Sequence, residues 1–212
     1  MKKVDFRECT LEYLEDTFGL KPKKQLPDLN KWLNAKMDIS KHEERELNNL
    51  KDLLQENVHH WNERELSLHF IGPIFSMIHY TNIELQINLF AERSLAGTVQ
   101  DIELSGLPDG MIASGYRSPK KPYFTFQEYK KERDPHGDPA GQALAAMLVG
   151  QELNETKHPI YGCYIVGRDW YFMTLTGKEY TISKGYDATT EHVFDILKIL
   201  KSLKKLVIDL AS

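Results

Sequence analysis

From Ser40 the positions Leu47, Leu50, Leu54 and Val58 recur at helical spacing with charged residues between them, and Glu43 stands three residues after Ser40 as a capping box. This pattern predicts an amphipathic helix. A second helix is predicted from about Asn62, with Leu66, Phe70, Ile74, Met77 and Ile78 on one side and Pro73 as a kink. The period then changes: Ile83, Leu85, Ile87 and Leu89 alternate with Glu84, Gln86 and Asn88, which predicts a half-buried strand. Residues 107–113 read as a second strand entered through Pro108, and residues 123–130, rich in aromatic and β-branched side chains, as a third. Asp138 and Pro139 suit an N-cap and first helical position, and the helix they open is rich in small residues that let it lie close on a sheet. Residues 160–166 and 170–175 predict a hairpin around Gly167-Arg168-Asp169. In the last helix Ile196, Leu197, Leu200, Leu203 and Val207 form one side, and Lys198, Lys201, Lys204 and Lys205 the other.

The expected order is helix, three strands, helix, two strands, helix, and the fold class is α/β, a mixed central sheet flanked by helices. The first 37 residues mix a short helical pattern (Leu11, Leu14, Phe18) with Pro22 and Pro27. Residues 1–60 are therefore read as an N-terminal helical extension and residues 61–212 as the α/β domain.

Composition narrows the function. A 212-residue chain with 41% hydrophobic residues buries a sizeable core without staples, and its two cysteines make neither a disulfide framework nor a zinc spacing. Residues 1–11 lack the apolar run of a signal peptide and no later stretch is long and apolar enough to span a bilayer, so the expectation is a cytoplasmic protein with no membrane partner. The net charge of −4 gives no support for nonspecific binding to polyanions, but its distribution is uneven. Residues 38–65 carry eight acids against four bases, whereas residues 117–133 carry six bases against two acids, so an anionic ligand is expected at the second segment. The eight histidines include no HExxH pair.

The third strand ends in Glu128-Tyr129-Lys130, and strand alternation sets Glu128 and Lys130 on one face. If the second and third strands pair, Asp109 and Glu128 converge within reach of one cation, and two carboxylates with waters and a phosphate are how Mg²⁺ is usually held. Lys130 beside such a cation would orient or deprotonate a water, or offset charge developing on a phosphoryl group. The same acid-x-Lys spacing recurs only at Glu155-Thr156-Lys157, which has no preceding strand carrying an acid. A cross-strand ion network on a solvated sheet face is the competing account of the trio.

At these residues the sequence resembles the PD-(D/E)XK nuclease superfamily, the restriction-endonuclease-like fold, through Pro108-Asp109 followed by Glu128-Tyr129-Lys130 and through the order helix, three strands, helix, strand over residues 61–175. Trp61-Asn62-Glu63 ahead of Leu66, Phe70, Ile71 and Pro73 looks like the segment of restriction-subunit relatives that supplies a further acid, which favours Glu63. Gln142 matches the glutamine that the helix after the third strand often presents. Glu63, three residues before Leu66 and seven before Phe70, is expected on the buried face of its helix, with Glu65 as the substitute if the helix is rotated.

The resemblance implies metal-dependent phosphodiester hydrolysis of nucleic acid, DNA first, with Asp109 and Glu128 holding Mg²⁺ (or Mn²⁺), Lys130 at the reacting water, and Glu63 and Gln142 in support. Lys120, Lys121 and Lys131 are the expected nucleic-acid contacts, and a homodimer or a protein partner is a further candidate. The alternative function is a catalytically inactive nuclease-like scaffold that binds nucleic acid or a protein.

Overall fold

The structure is a computed structural model that describes residues 2–129, 138–155 and 158–212. Strand β1 (Lys2–Asp5) leads through a 3-10 turn into helix α1 (Leu11–Phe18), whose N-cap Thr10 accepts from the Tyr13 N–H. The left-handed Gly19 ends α1, a conformation that favours glycine at a helix terminus. Strand β2 (Lys21–Pro22) and helix α2 (Pro27–Leu33) follow, with proline in the first turn of the helix, where its missing N–H costs no helical bond. Helix α3 (Lys41–Asn57) has the expected box: Ser40 Oγ accepts from the Glu43 N–H, and the Glu43 carboxylate accepts from the Ser40 N–H at 2.7 Å.

The next helical run is less regular than its spacing suggests. Helix α4 (Glu63–Leu66) is one turn long, a π turn covers Ser67–Ile71, and helix α5 (Gly72–Ile78) continues. The Gly72 N–H reaches the Ser67 carbonyl five residues back, so the irregularity lies just ahead of Pro73, whose missing N–H could not have continued the ladder.

Strand β3 (Ile87–Ala91) is shorter and later than residues 83–89. Asn82 and Ile87 exchange both backbone hydrogen bonds at 2.9 Å, closing a turn through Gln86, whose φ is 54°. Ile83 is therefore 71% exposed on the turn rather than alternating into the core. Strands β4 (Leu95–Val99) and β5 (Ile102–Gly106) form a hairpin where the pattern showed no regular element. Strands β6 (Gly110–Ser114) and β7 (Pro122–Tyr129) make the second hairpin, and helix α6 (Pro139–Asn154) is capped by Asp138 as expected. Strands β8 (Ile160–Val166) and β9 (Asp169–Thr176) form the predicted hairpin. Strands β10 (Glu179–Ile182) and β11 (Tyr186–Asp187) and helix α7 (His192–Ala211) close the chain.

The protein is mixed α/β. The larger sheet runs β2-β10-β9-β8-β7-β6-β3, with β11 also paired to β9, and a smaller one runs β1-β5-β4. The meander β3-β6-β7 is antiparallel, whereas β7 and β8 are parallel and joined through α6. One face of the larger sheet is covered by α2, α3, α5 and α7, through Trp32, Leu47, Phe75 and Leu200 among others. The other face meets α6 and α1, and the smaller sheet packs on the far side of α6. This sandwiched place explains why α6 is apolar all round. Close approach requires glycine at two points: a Cβ on Gly162 would stand 2.3 Å from Met147 Sδ, and one on Gly141 2.3 Å from the Cys9 carbonyl oxygen.

The described residues of the segment expected as a helical extension, 2–60, are woven into both layers. Strand β1 pairs in parallel with β5, and β2 with β10. Trp32 is fully buried, edge-on to Phe124, Tyr161 and Phe172, and its Nε1–H donates to the Ile199 carbonyl at 2.8 Å. Among the described residues no helix is long and apolar enough to cross a membrane.

Candidate active site

An open cleft of about 860 Å³ lies between the α4–α5 run and the sheet end where β3 stops and β6 starts, lined in part by Glu63, Arg64, Leu68, Ser76, Glu92 and Asp109. Each carboxylate arrives from a different local cause. Glu63 is the first residue of α4, set there by its N-cap Asn62, whose side chain accepts from the Glu65 N–H. Asp109 follows the buried Pro108 and immediately precedes β6, so a rigid residue fixes its entry into the sheet. Glu92 follows β3 in a left-handed conformation, φ 48°, and its N–H donates to the Asp109 carbonyl at 3.1 Å. That bond ties the ends of two neighbouring strands.

Sheet register sets the remaining candidates. Gly110 pairs with Phe126, so Asp109 and the backbone of Glu128 lie at the same end of the β6–β7 hairpin. On its other side Glu128 is in register with Ile165 of parallel β8. Lys130 and Lys131 lie outside the described residues. Glu63 and Asp109, 46 residues apart in sequence, thus line one cleft, at the sheet end that also carries the backbone of Glu128.

Glu63 does not lie on a buried face; it is exposed. Leu66 and Phe70 are buried as expected, but Glu63 is the first residue of a one-turn helix and stands at its exposed N-terminus rather than on its packed side. Glu65 is half-buried and engaged in the capping box, where its carboxylate accepts from the Asn62 N–H at 2.6 Å. Gln142 is 3% exposed in the first turn of α6, which packs on the opposite face of the larger sheet from α5. It does not line the cleft.

Lys120 and Lys121 are exposed on the β6–β7 turn, at the far end of the hairpin from Asp109. With five residues in β6 the separation along the strand is about 16 Å, so these lysines do not flank the carboxylates. The lysine side of α7 is partly committed to the fold. Lys201 Nζ lies 2.7 Å from Glu43 and donates to the Asp38 carbonyl, and Lys204 donates to that of Ile78.

Arg64 and Glu92 are cleft residues that the sequence pattern did not single out. Arg64 adjoins Glu63, but nothing in its spacing distinguishes it from other solvated helix residues, and the strained backbone of Glu92 leaves no mark in composition. Arg64 Nη1 approaches Glu92 Oε1 at 3.4 Å across the mouth, with the two side chains 84% and 65% exposed.

Glu63, Glu92 and Asp109 offer this cleft carboxylate oxygens. Carboxylate oxygen is the ligand chemistry of Mg²⁺ and Mn²⁺, and one or two protein carboxylates with waters are the usual protein share of a Mg²⁺ site. Among the described residues no group of three or more His, Cys, Asp or Glu side chains is gathered closely enough to hold a metal unaided. The chain matches no family model and no curated protein.

Proposed function

We propose that this chain hydrolyses phosphodiester bonds in nucleic acid, DNA first, at the cleft between α4 and the β3–β6–β7 meander. The observation that carries the proposal is that Glu63 and Asp109 line one cleft at the sheet end to which β7 carries Glu128. The restriction-endonuclease-like reading is supported by the path around it: a helical run, an antiparallel meander, then α6 crossing to a strand parallel with β7.

In this reading Asp109, Glu63 and Glu128 would hold Mg²⁺ or Mn²⁺, which supplies Lewis-acid stabilisation of charge on the phosphoryl oxygens. Hydrolysis forms a bond from a water oxygen to phosphorus and breaks the bond to the departing sugar oxygen, which takes up a proton from solvent and leaves as a hydroxyl. The water's proton must leave as it attacks, and Lys130 is the residue assigned to accept it or to offset the developing negative charge. The cleft is open to solvent and lined by both polar and apolar side chains.

The test is incubation with linear, circular and single-stranded DNA in Mg²⁺, Mn²⁺ or EDTA. Cleavage in the metal arms and none in EDTA is the expected result. DNA retained without cleavage would replace hydrolysis by a non-catalytic scaffold, and neither retention nor cleavage would remove nucleic acid as the ligand.

A further inference from the structure

We propose that Arg64 is a substrate-phosphate contact of this cleft, and that Glu92 holds its guanidinium across the mouth until a phosphodiester displaces the carboxylate. The inference rests on the nucleic-acid reading above and adds to it a specific docking group and its built-in competitor.

The electrostatics of the cleft call for such a group. Glu63, Glu92 and Asp109 all line it, and Arg64 is the one basic side chain among its described lining residues. A polyanion approaching three carboxylates is repelled unless a cation receives it. A guanidinium is suited to the task because its planar fork matches two phosphate oxygens at once.

Position favours Arg64 further. It adjoins Glu63 on α4, so the turn that brings a candidate metal-holding carboxylate into the cleft also sets the root of the arginine. Its head reaches the opposite wall, where Nη1 stands 3.4 Å from Glu92 Oε1. Glu92 is not on a slack loop: its backbone is left-handed and its N–H is bonded to the carbonyl of Asp109. The competitor carboxylate is thereby anchored next to the other expected ligand.

The pair is also weak enough to be exchanged. Both side chains are largely exposed, and exposed ion pairs contribute little to stability and are screened by salt. A phosphate offering two charged oxygens competes with Glu92 for Arg64, and the released carboxylate then faces the bound polyanion. Glu92 therefore opposes loose binding of any anion, and only a ligand that gains contacts elsewhere in the cleft overcomes it.

The experiment measures binding of a fluorescently labelled DNA duplex by anisotropy in EDTA, across a salt series, for the full chain and its Arg64→Ala, Arg64→Lys and Glu92→Gln variants. Arg64→Ala is expected to weaken binding about tenfold, as loss of one charge-assisted contact implies. It should also reduce the salt slope by about 0.9, the share of one phosphate. Arg64→Lys should recover part of the affinity, and Glu92→Gln should tighten binding. Thermal melts of all variants should match the wild type, since both side chains are exposed. Equal binding by wild type and Arg64→Ala, or weakening by Glu92→Gln as large as that by Arg64→Ala, would overturn the proposal. Mg²⁺-dependent cleavage, assayed in parallel, separates the two readings. A wild type that binds without cleaving rejects hydrolysis while the Arg64 contact stands on its binding data. A wild type that neither binds nor cleaves overturns both.

Discussion

The backbone N–H of Glu92 donates to the carbonyl of Asp109 at 3.1 Å, so the residue just after β3 and the residue just before β6 are held together one position beyond the last strand pair, Ala91 with Gly110. Asp109 is thereby fixed on a wall of the cleft opposite Glu63. If its carboxylate is a ligand, Asp109→Asn should weaken Mn²⁺ binding and lower cleavage together, because a neutral amide offers a hard cation one weaker oxygen. Glu63→Gln should do the same to a smaller degree. Calorimetric titration of Mn²⁺ beside cleavage rates checks both, and unchanged metal affinity in Asp109→Asn would remove it as a ligand.

Lys130 is expected to fail differently. Lys130→Ala should leave metal affinity unchanged or slightly tighter, since a positive charge is removed, while the cleavage rate drops by on the order of 10² to 10⁴, as for loss of a proton-transfer or charge-stabilising group. Loss of metal binding in this variant would show that Lys130 supports the site's structure instead.

The separation of Lys120 and Lys121 from the carboxylates changes what their removal should do. A duplex seated at the cleft can reach the hairpin tip about 16 Å away, since five base pairs span about 17 Å. The double alanine variant should lower the salt slope of binding by about 1.8 while leaving the rate at saturating DNA intact. A lower saturated rate with unchanged affinity would place the tip in the chemistry, against its geometry.

The contrast between Asp138 and Glu63 shows which signals survive the passage from sequence to fold. Asp138-Pro139 is read correctly as a cap because capping is local chemistry between residues three apart. The same holds for Ser40 and Glu43, for the β8–β9 hairpin and for the apolar side of α7. Glu63 has the wrong expected exposure, because the apolar spacing that buries Leu66 and Phe70 does not show that the helix starts at Glu63 and leaves its first residue at an open terminus. The alternation at residues 83–89 misleads for a related reason: Asn82 and Ile87 close a turn on each other, and the apolar Ile83 and Leu85 fall outside the ladder. The β4–β5 hairpin is short and carries Gly97, which a Cβ would bring within 2.9 Å of Val149 on α6, so its pattern answers to tertiary packing more than to strand propensity. For the N-terminal segment the missing knowledge is wholly non-local, since parallel pairing of β1 with β5 joins Lys2 to Ile102. Arg64 and Glu92 meet only once the sheet and the α4 turn are both in place.

Asp138 also has a second role that sequence could not show. One of its carboxylate oxygens accepts from the Gly141 N–H at 2.9 Å and the other from the Leu11 N–H at 2.8 Å, so a single side chain serves the first turns of α6 and α1. Asp138→Ala removes both acceptors and should destabilise the protein by about 2 kcal/mol, at the upper end of a single cap. Asp138→Asn keeps only one acceptor oxygen and should fall between. Urea unfolding of the three proteins measures this, and a loss below about 0.5 kcal/mol for Asp138→Ala would mean water replaces both bonds.

The tie between Glu43 and Lys201 should appear in the acid limb of stability. Burial favours the protonated carboxyl, but hydrogen bonds from Lys201 and from the backbone and side chain of Ser40, with the nearby ammonium charge, outweigh it and hold Glu43 below its ordinary pKa of 4.5. Because the folded-state pKa is the lower one, the unfolded chain binds this proton first as pH falls. The stabilisation is therefore complete above the unfolded value and is lost as pH drops through the folded one. The contact joins the start of α3 to the middle of α7, with both side chains mostly covered, so Glu43→Gln should cost about 1 kcal/mol at pH 7. At pH 3 the gap between variant and wild type should be smaller, because protonation has by then removed part of the wild-type advantage. Thermal melts at pH 7, 5, 4 and 3 for the two proteins test this, and a gap that stays constant down to pH 3 would mean that the contact acts through shape and not through charge.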